Sequence, residues 1–410
     1  MGCVSLEITQ RCNLDCSACY LSEHAEAVRD LPLAEIFRRI DTIYAHYGPG
    51  TDVQVSGGEP TLRKRDELLA IVARIAELGM RPALFTNGIR ATRALLTELA
   101  EVGLCDVAFH VDITQQRAGY NNETALNALR ATYIERARGL PLMVIFNTTV
   151  CADNFSDLAD LTRFFVRHAD VVGFASFQLQ ADTGRGVLRQ RDQIISADTT
   201  IDQVRLGTGT PLDFDALSAG HTRCNRYALS LVVGTTVHDV NVDRTLTAKV
   251  LAHLGETHLP RTDPRAARKV IVRLLITHPD LWWPSVKAVA GFAWRARRAL
   301  LLSRGKVHKL SFFVHNFMDA KHIERERAHA CVFMVATAQG PLSMCVHNAK
   351  RDSFVLAPLD LVTPQGIEHW APLRTAGGDS RDGTLAAFPL KWMRGRARAA
   401  AARARATSAL

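Results

Sequence analysis

Apolar positions switch repeatedly between strand and helix period along the first part of the chain. Val4, Leu6 and Ile8 alternate with Ser5 and Glu7 and predict a strand at Val4–Thr9. Ile36, Ile40 and Ile43 then recur at helical spacing and predict a helix at Leu33–Tyr47, started by Leu31-Pro32. A strand at Asp52–Val55 leads to Gly57, and a helix from Asp66 to Leu78 stops at Gly79. The alternation continues with a strand at Pro82–Thr86 and a helix at Arg90–Val102 that stops at Gly103. Strands at Asp106–Ile113, Leu142–Val150 and Val171–Gln180 follow, separated by helices at Glu123–Arg138 and Ser156–His168. Six β-α repeats imply a parallel sheet with right-handed crossovers. They are too few for a closed eight-stranded barrel. The expected fold class is therefore α/β, an open partial (β/α)6 TIM-like barrel over residues 1–185.

Beyond Gly184 the repeat breaks down. Residues 186–260 read as a connecting region: Asp198–Asp215 is loop-like with room for one short helix, and Cys224 precedes an apolar run, Tyr227–Val237. Residues 261–310 are basic and apolar together, with Trp282-Trp283, Trp294 and Leu300–Leu302 among arginines and lysines, the composition of an interfacial amphipathic helix or of an ordinary surface helix. In residues 311–360, strand-like runs at Val332–Thr337 and Leu342–Val346 flank Gly340 and predict a hairpin bearing Cys331 and Cys345. Residues 361–410 end in an Ala/Arg run with Arg394, Arg396, Arg398, Arg403 and Arg405.

Composition adds little to this architecture. Of 410 residues, 47% are hydrophobic and 22% charged, as in a globular protein. Nine cysteines in so long a chain do not read as a disulfide scaffold, so a reducing cytoplasm is expected. The start, Met1-Gly2-Cys3-Val4, runs directly into a strand and matches neither a signal peptide nor a lipidation signal. The net charge of +9 is concentrated in the two basic segments and comes with no nucleic-acid-binding motif. A peripheral contact with the inner face of a membrane, or simple solvation, accounts for it better than nucleic acid. No run of 18 apolar residues predicts a transmembrane helix.

The candidate chemistry starts at the end of the first strand. Cys12, Cys16 and Cys19 stand at C-x3-C-x2-C spacing, followed by Tyr20. Soft thiolates select iron–sulfur clusters or zinc, and three of them leave one iron of a cubane open. Half of a zinc site is the competing reading. A second element, Ser56-Gly57-Gly58-Glu59-Pro60, ends the second strand, where glycines permit close backbone approach and a carboxylate suits an ammonium. The same end of the expected barrel receives Asn87, Asp112, Thr114, Asn147, Thr149, Cys151, Gln178 and Gln180. Asn87 also reads as a plain Asn-Gly turn, and Asp112 as a helix cap or loop residue. Cys105 falls at the opposite end, as a buried apolar side chain.

The cysteine loop and the Gly-Gly-Glu-Pro element together resemble the radical S-adenosylmethionine (radical SAM) superfamily. The resemblance implies a catalytic [4Fe-4S] cluster on Cys12, Cys16 and Cys19, with S-adenosylmethionine chelated at the open iron. It further implies that Gly57, Gly58 and Glu59 hold the methionyl amine, that Asp112 contacts the ribose, and that reduction releases a 5′-deoxyadenosyl radical. Cys331 and Cys345 about Gly340 are similar to the hairpin of family members with an auxiliary iron–sulfur cluster, for which Cys224 is a natural third ligand and Cys151, another side chain or none the fourth; ordinary core cysteines are the competing reading. The run Phe312–Ala320 with Cys331–Asn348 resembles the branch containing the archaeal tetraether lipid synthase and the methanopterin-pathway methyltransferase, although the spacing around Gly340 differs by about one residue.

This branch implies hydrogen abstraction from an unactivated carbon for carbon–carbon bond formation or alkylation, with a lipid chain as the expected substrate and a pterin as the alternative. Ferredoxin or flavodoxin is the expected reductant. His315, Asn316 and Asp319 face either the substrate or a polar network joining the two regions. Modification of a peptide is the rival within enzymes, and an iron–sulfur electron carrier the rival outside them.

Overall fold

The computed structural model describes residues 2–184, 191, 192, 194–217, 219–254, 264–363 and 366–373. The basic Ala/Arg tail, including Arg394–Arg405, lies outside the described residues. The six expected strands form as β1 (Cys3–Thr9), β2 (Asp52–Gly57), β3 (Arg81–Thr86), β4 (Asp106–His110), β5 (Met143–Val150) and β6 (Val172–Leu179). Neighbours pair in parallel in chain order. The crossovers carry α1 (Leu33–Tyr47), α2 (Arg65–Glu77), α3 (Arg93–Glu101), α4 (Asn127–Ala137) and α5 (Leu158–Arg167). This is the open partial (β/α)6 barrel that the repeat implied.

Every residue of β1 is buried, as in a parallel strand covered on both faces. Its apolar face, Val4, Leu6 and Ile8, joins Ile36, Ile40 and Ile43 of α1 in the core. Its other face, Ser5 and Glu7, turns inward, and the period of two repeats this arrangement round the barrel. Gln54 and Ser56 of β2, His110 of β4, Asn147 and Thr149 of β5 and Gln178 of β6 all line the same interior cleft. The concave face thus carries these polar side chains, and the helix-covered face carries the hydrophobic core.

The C-terminal half completes the sheet. It contributes α6 (Ala197–Thr208), β7 (Asn225–Val233), β8 (Thr236–Asp239), α7 (Arg244–Leu254), α8 (Pro264–Thr277), α9 (Trp282–Leu302) and β9 (Val307–Asn316). It ends with α10 (Arg325–His329), β10 (Phe333–Thr337), β11 (Gly340–Ser343), α11 (Met344–Ala349), α12 (Arg351–Val355) and the hairpin β12 (Leu359–Thr363) and β13 (Gly366–Trp370). β9 lies parallel beside β6, and β10 parallel beside β1, so both edges of the six-stranded core are covered. The resulting 11-stranded sheet has the order β11-β10-β1-β2-β3-β4-β5-β6-β9-β7-β8.

Three local expectations change. The loop-like stretch from Asp198 is mostly α6, because Ser196 and Thr199 form a capping box and Ile201 and Val204 reach the core. β4 stops at His110, and a 3-10 turn at Ile113–Gln115 follows because Asp112 accepts from Thr114 N–H at its start. The Gly340 hairpin forms, but β11 ends at Ser343 and Cys345 sits in α11. Among the described residues, no helix is long and apolar enough to cross a membrane.

Candidate active site

A cleft of about 240 Å3 opens at the C-terminal ends of the core strands. Cys12, Cys16, Cys19, Tyr20, Ser56, Gly57, Gly58, Asn87, Asn147 and Gln178 all line it. The loop bearing the cysteines is tied to three successive strand ends. The Asn87 amide donates to Asn13 Oδ1 at 2.6 Å, the Tyr20 hydroxyl to the Gly57 carbonyl at 2.6 Å, and Ser17 N–H to the Thr114 carbonyl at 2.8 Å. Cys105 stands at the opposite end of β4; it is half-buried rather than buried as expected, its thiol 3.6 Å from the Gly103 carbonyl.

The two glycines act differently from the expectation that they admit a ligand. A Cβ on Gly58 would stand 2.2 Å from the Arg11 carbonyl oxygen, and one on Gly57 2.1 Å from that of Thr9. Gly57 also has φ of 123°, which L side chains rarely adopt. The close approach is made to the backbone leading into the cysteine loop, where Gly58 N–H donates to Thr9 and Glu59 N–H to Arg11. The glycines therefore set the loop's position relative to β2.

Glu59 is also a correction. Its side chain is fully buried and does not line the cleft. Oε1 accepts from Thr61 N–H at 3.1 Å, the Thr61 hydroxyl at 2.5 Å and the Thr86 hydroxyl at 2.7 Å, while Oε2 accepts from Asn87 N–H at 2.7 Å. With its lone pairs committed, the carboxylate locks the ends of β2 and β3 together. In this element the Gly57 carbonyl lies at the cleft and accepts from the Tyr20 hydroxyl.

Asp112 departs from the expected ribose contact for a similar reason. It is buried, accepts from Thr114 and Thr149 N–H, and lies 2.7 Å from His110 Nε2. Burial raises its pKa, but His110 and these hydrogen bonds outweigh that and hold it at about 2. The side chain presented to the cleft is His110, which the sequence reading missed. Its only sequence signal was the two-residue step from Asp112.

The second cysteine group divides. Cys345 lines the cleft with Cys12, Cys16 and Cys19. Burial pushes its thiol up to about 11, and the nearby Cys331 and Cys224 sulfurs add to the rise. Arg327 Nε donates to Cys224 Sγ at 3.1 Å, and the Cys331 thiol donates to the Phe333 carbonyl at 3.1 Å. Cys151 is elsewhere: it is buried, its N–H bonds Asn154 Oδ1, and burial pushes its thiol up to about 12. It does not line the cleft.

His315, Asn316 and Asp319 also fall outside the cleft. Asn316 bonds Arg191 and the Arg223 carbonyl, Asp319 accepts from Asp182 N–H, and His315 stacks on Phe317 with ring centroids 3.8 Å apart. Asn316 and Asp319 thus sit in a polar network, whereas His315 packs among Phe313, Phe317 and Phe333.

Three soft thiols converge on one cleft, directly beside a backbone carbonyl able to accept from an ammonium. This donor set fits a [4Fe-4S] cluster and S-adenosylmethionine. Residues 6–165 match the model of the Radical SAM superfamily. They are a radical SAM domain. The chain is 26% identical over 187 residues to the 7,8-dihydro-6-hydroxymethylpterin dimethyltransferase of Methanocaldococcus jannaschii, covering 44% of this chain and 37% of that protein. It is 30% identical over 168 residues to the PqqA peptide cyclase of Bradyrhizobium diazoefficiens, covering 40% and 43%. Over 106 residues it is 39% identical to the Fe-coproporphyrin III synthase of Methanosarcina barkeri, covering 26% of each chain. The chain thus spans less than half the length of these relatives. Among solved structures, Streptococcus suis SuiB bound to its precursor peptide SuiA aligns with TM-score 0.38 at 16% identity, covering 48% of this chain and 44% of that one. In the radical SAM domain, the cysteine loop brings the soft thiols to the cleft that Gly57 and Gly58 also line.

Proposed function

We propose that this chain is a radical SAM enzyme acting on a small polar heterocycle of the pterin type. When bound, the cluster and S-adenosylmethionine would supply a carbon radical able to take hydrogen from an unactivated carbon. Cys12, Cys16 and Cys19 would hold the cluster. The Gly57 carbonyl, once released by Tyr20, and Ser56 would take the methionyl amine. Asn147 and Gln178, which line the cleft, would orient the nucleoside or the substrate. A reductant such as ferredoxin or flavodoxin would supply the electron.

One observation carries the substrate class. Beside apolar Leu21, Phe85, Phe317 and Met318, the cleft carries uncharged hydrogen-bonding side chains, Asn147 and Gln178 among them. The Asn147 and Gln178 amides, each able to donate and to accept, match the edge of a heterocycle. The pterin dimethyltransferase among the relatives supports the same class. The expectation of a lipid chain has less behind it. A peptide is the second reading, supported by the PqqA peptide cyclase relative.

An auxiliary cluster on Cys224, Cys331 and Cys345 belongs to this proposal, supported by the electrostatic interaction of Cys345, at the cleft, with the other two thiols. Iron retained by a Cys12/Cys16/Cys19→Ala triple variant, and lost when Cys224, Cys331 and Cys345 are also replaced, is the expected result. Substrate class is tested by deuterium transfer into 5′-deoxyadenosine. Transfer from a deuterated pterin is expected, and transfer from lipid or peptide pools alone would reject the pterin reading.

A further inference from the structure

The helix α9 packs one face on the protein and leaves the opposite face in solvent. Ala296 is fully buried, and Phe292 meets His238 of β8 edge-on with ring centroids 5.4 Å apart. On the opposite face, Trp283 is 70% exposed, Val286 56%, Trp294 69% and Leu301 81%. At 3.6 residues per turn these four positions fall within about 80° of one another, directly opposite Phe292 and Ala296. Lys287, Arg297 and Arg298 lie on or beside the stripe, Arg304 follows the end of the helix, and all four are exposed. The Arg297 guanidinium lies over the Trp294 ring, 4.3 Å from its centroid. The preceding helix α8 repeats the theme, with Arg268, Lys269 and Arg273 around exposed Val272 and Ile276. From Pro264 to Lys309 the one acidic residue is Asp280.

We propose that α8 and the outer face of α9 dock on an anionic lipid bilayer, lying in its interface. Exposed tryptophan and leucine are suited to the headgroup–acyl boundary, and the surrounding cations to lipid phosphates. A second copy fits poorly, because a two-fold contact of this face would oppose like charges with no acid to pair them. Nucleic acid would meet the cations but would leave the aliphatic Val286 and Leu301 without a matching surface. Because no described helix is long and apolar enough to cross a bilayer, the contact is at its surface.

The test is flotation of the full chain with vesicles of phosphatidylcholine alone, or of phosphatidylcholine mixed with phosphatidylglycerol. Binding to the mixed vesicles only is expected, with a blue shift of tryptophan fluorescence. Arg297→Glu with Arg298→Glu should weaken it by at least about tenfold. Trp283→Ser with Trp294→Ser should abolish the blue shift. Both variants should keep wild-type 5′-deoxyadenosine formation, which shows that they are folded. Absence of binding, binding indifferent to lipid charge, or a wild-type dimer that the serine variant converts to monomer would each overturn the proposal.

Discussion

Arg351 and Glu7 stand 344 residues apart in sequence and form a buried, two-pronged ion pair, with both nitrogen–oxygen distances 2.8 Å. Gln10 donates to the same carboxylate at 2.8 Å, and the Arg351 guanidinium lies over the Tyr20 ring, 4.5 Å from its centroid. Burial alone would raise the Glu7 pKa, but Arg351, His347 and the hydrogen bonds hold it at about 2. A C-terminal helix thus steadies β1, and through Tyr20 the Gly57 carbonyl. Arg351→Ala should leave a buried charge uncompensated and cost about 3–5 kcal/mol. Thermal melts should show the loss, and Arg351→Lys should recover only part of it, since Lys cannot make the two-pronged contact.

Gly58→Ala places a methyl against the Arg11 carbonyl, which is backbone with no rotamer to yield. The cysteine loop should shift and iron bound per chain should fall, with the fold otherwise retained by circular dichroism. Unchanged iron content would show that the Gly58 approach does not set the loop.

Glu59→Gln separates two roles for this residue. As the lock between β2 and β3, it should cost about 1–3 kcal/mol, because an amide cannot accept at all the positions that the carboxylate fills. A role as the amine ligand would instead weaken S-adenosylmethionine binding at unchanged stability. Paired melts and binding isotherms distinguish them.

His315 is buried, and burial together with nearby Arg327 lowers its pKa from 6.5 to about 3. The folded state therefore keeps it neutral while the unfolded chain protonates below 6.5. Stability should fall as pH drops from 6.5 toward 3, with no further loss from this group below that. Melts of iron-free protein across this window should show the slope, and His315→Phe should reduce it.

The barrel was legible because each β-α unit carries its own periodicity, as at Val4–Ile8 and Ile36–Ile43. The cysteine loop was legible because its spacing is local. Glu59 and Asp112 were placed at the correct strand ends, but their direction was not readable. Whether a carboxylate faces the cleft or locks two strands depends on Thr61, Thr86 and Asn87 in one case and on Thr149 and His110 in the other. The Glu7–Arg351 pair was invisible for a related reason, since no local pattern marks partners separated by most of the chain.

The central claim is that the thiols of Cys12, Cys16 and Cys19 and the Gly57 carbonyl form one S-adenosylmethionine-cleaving site. Its most direct test is 5′-deoxyadenosine release by the iron–sulfur-reconstituted, dithionite-reduced chain, compared with Cys16→Ala treated identically. Release by the wild type and none by the variant is predicted. Equal release from both, or none from a wild type shown to carry its clusters, would contradict the account.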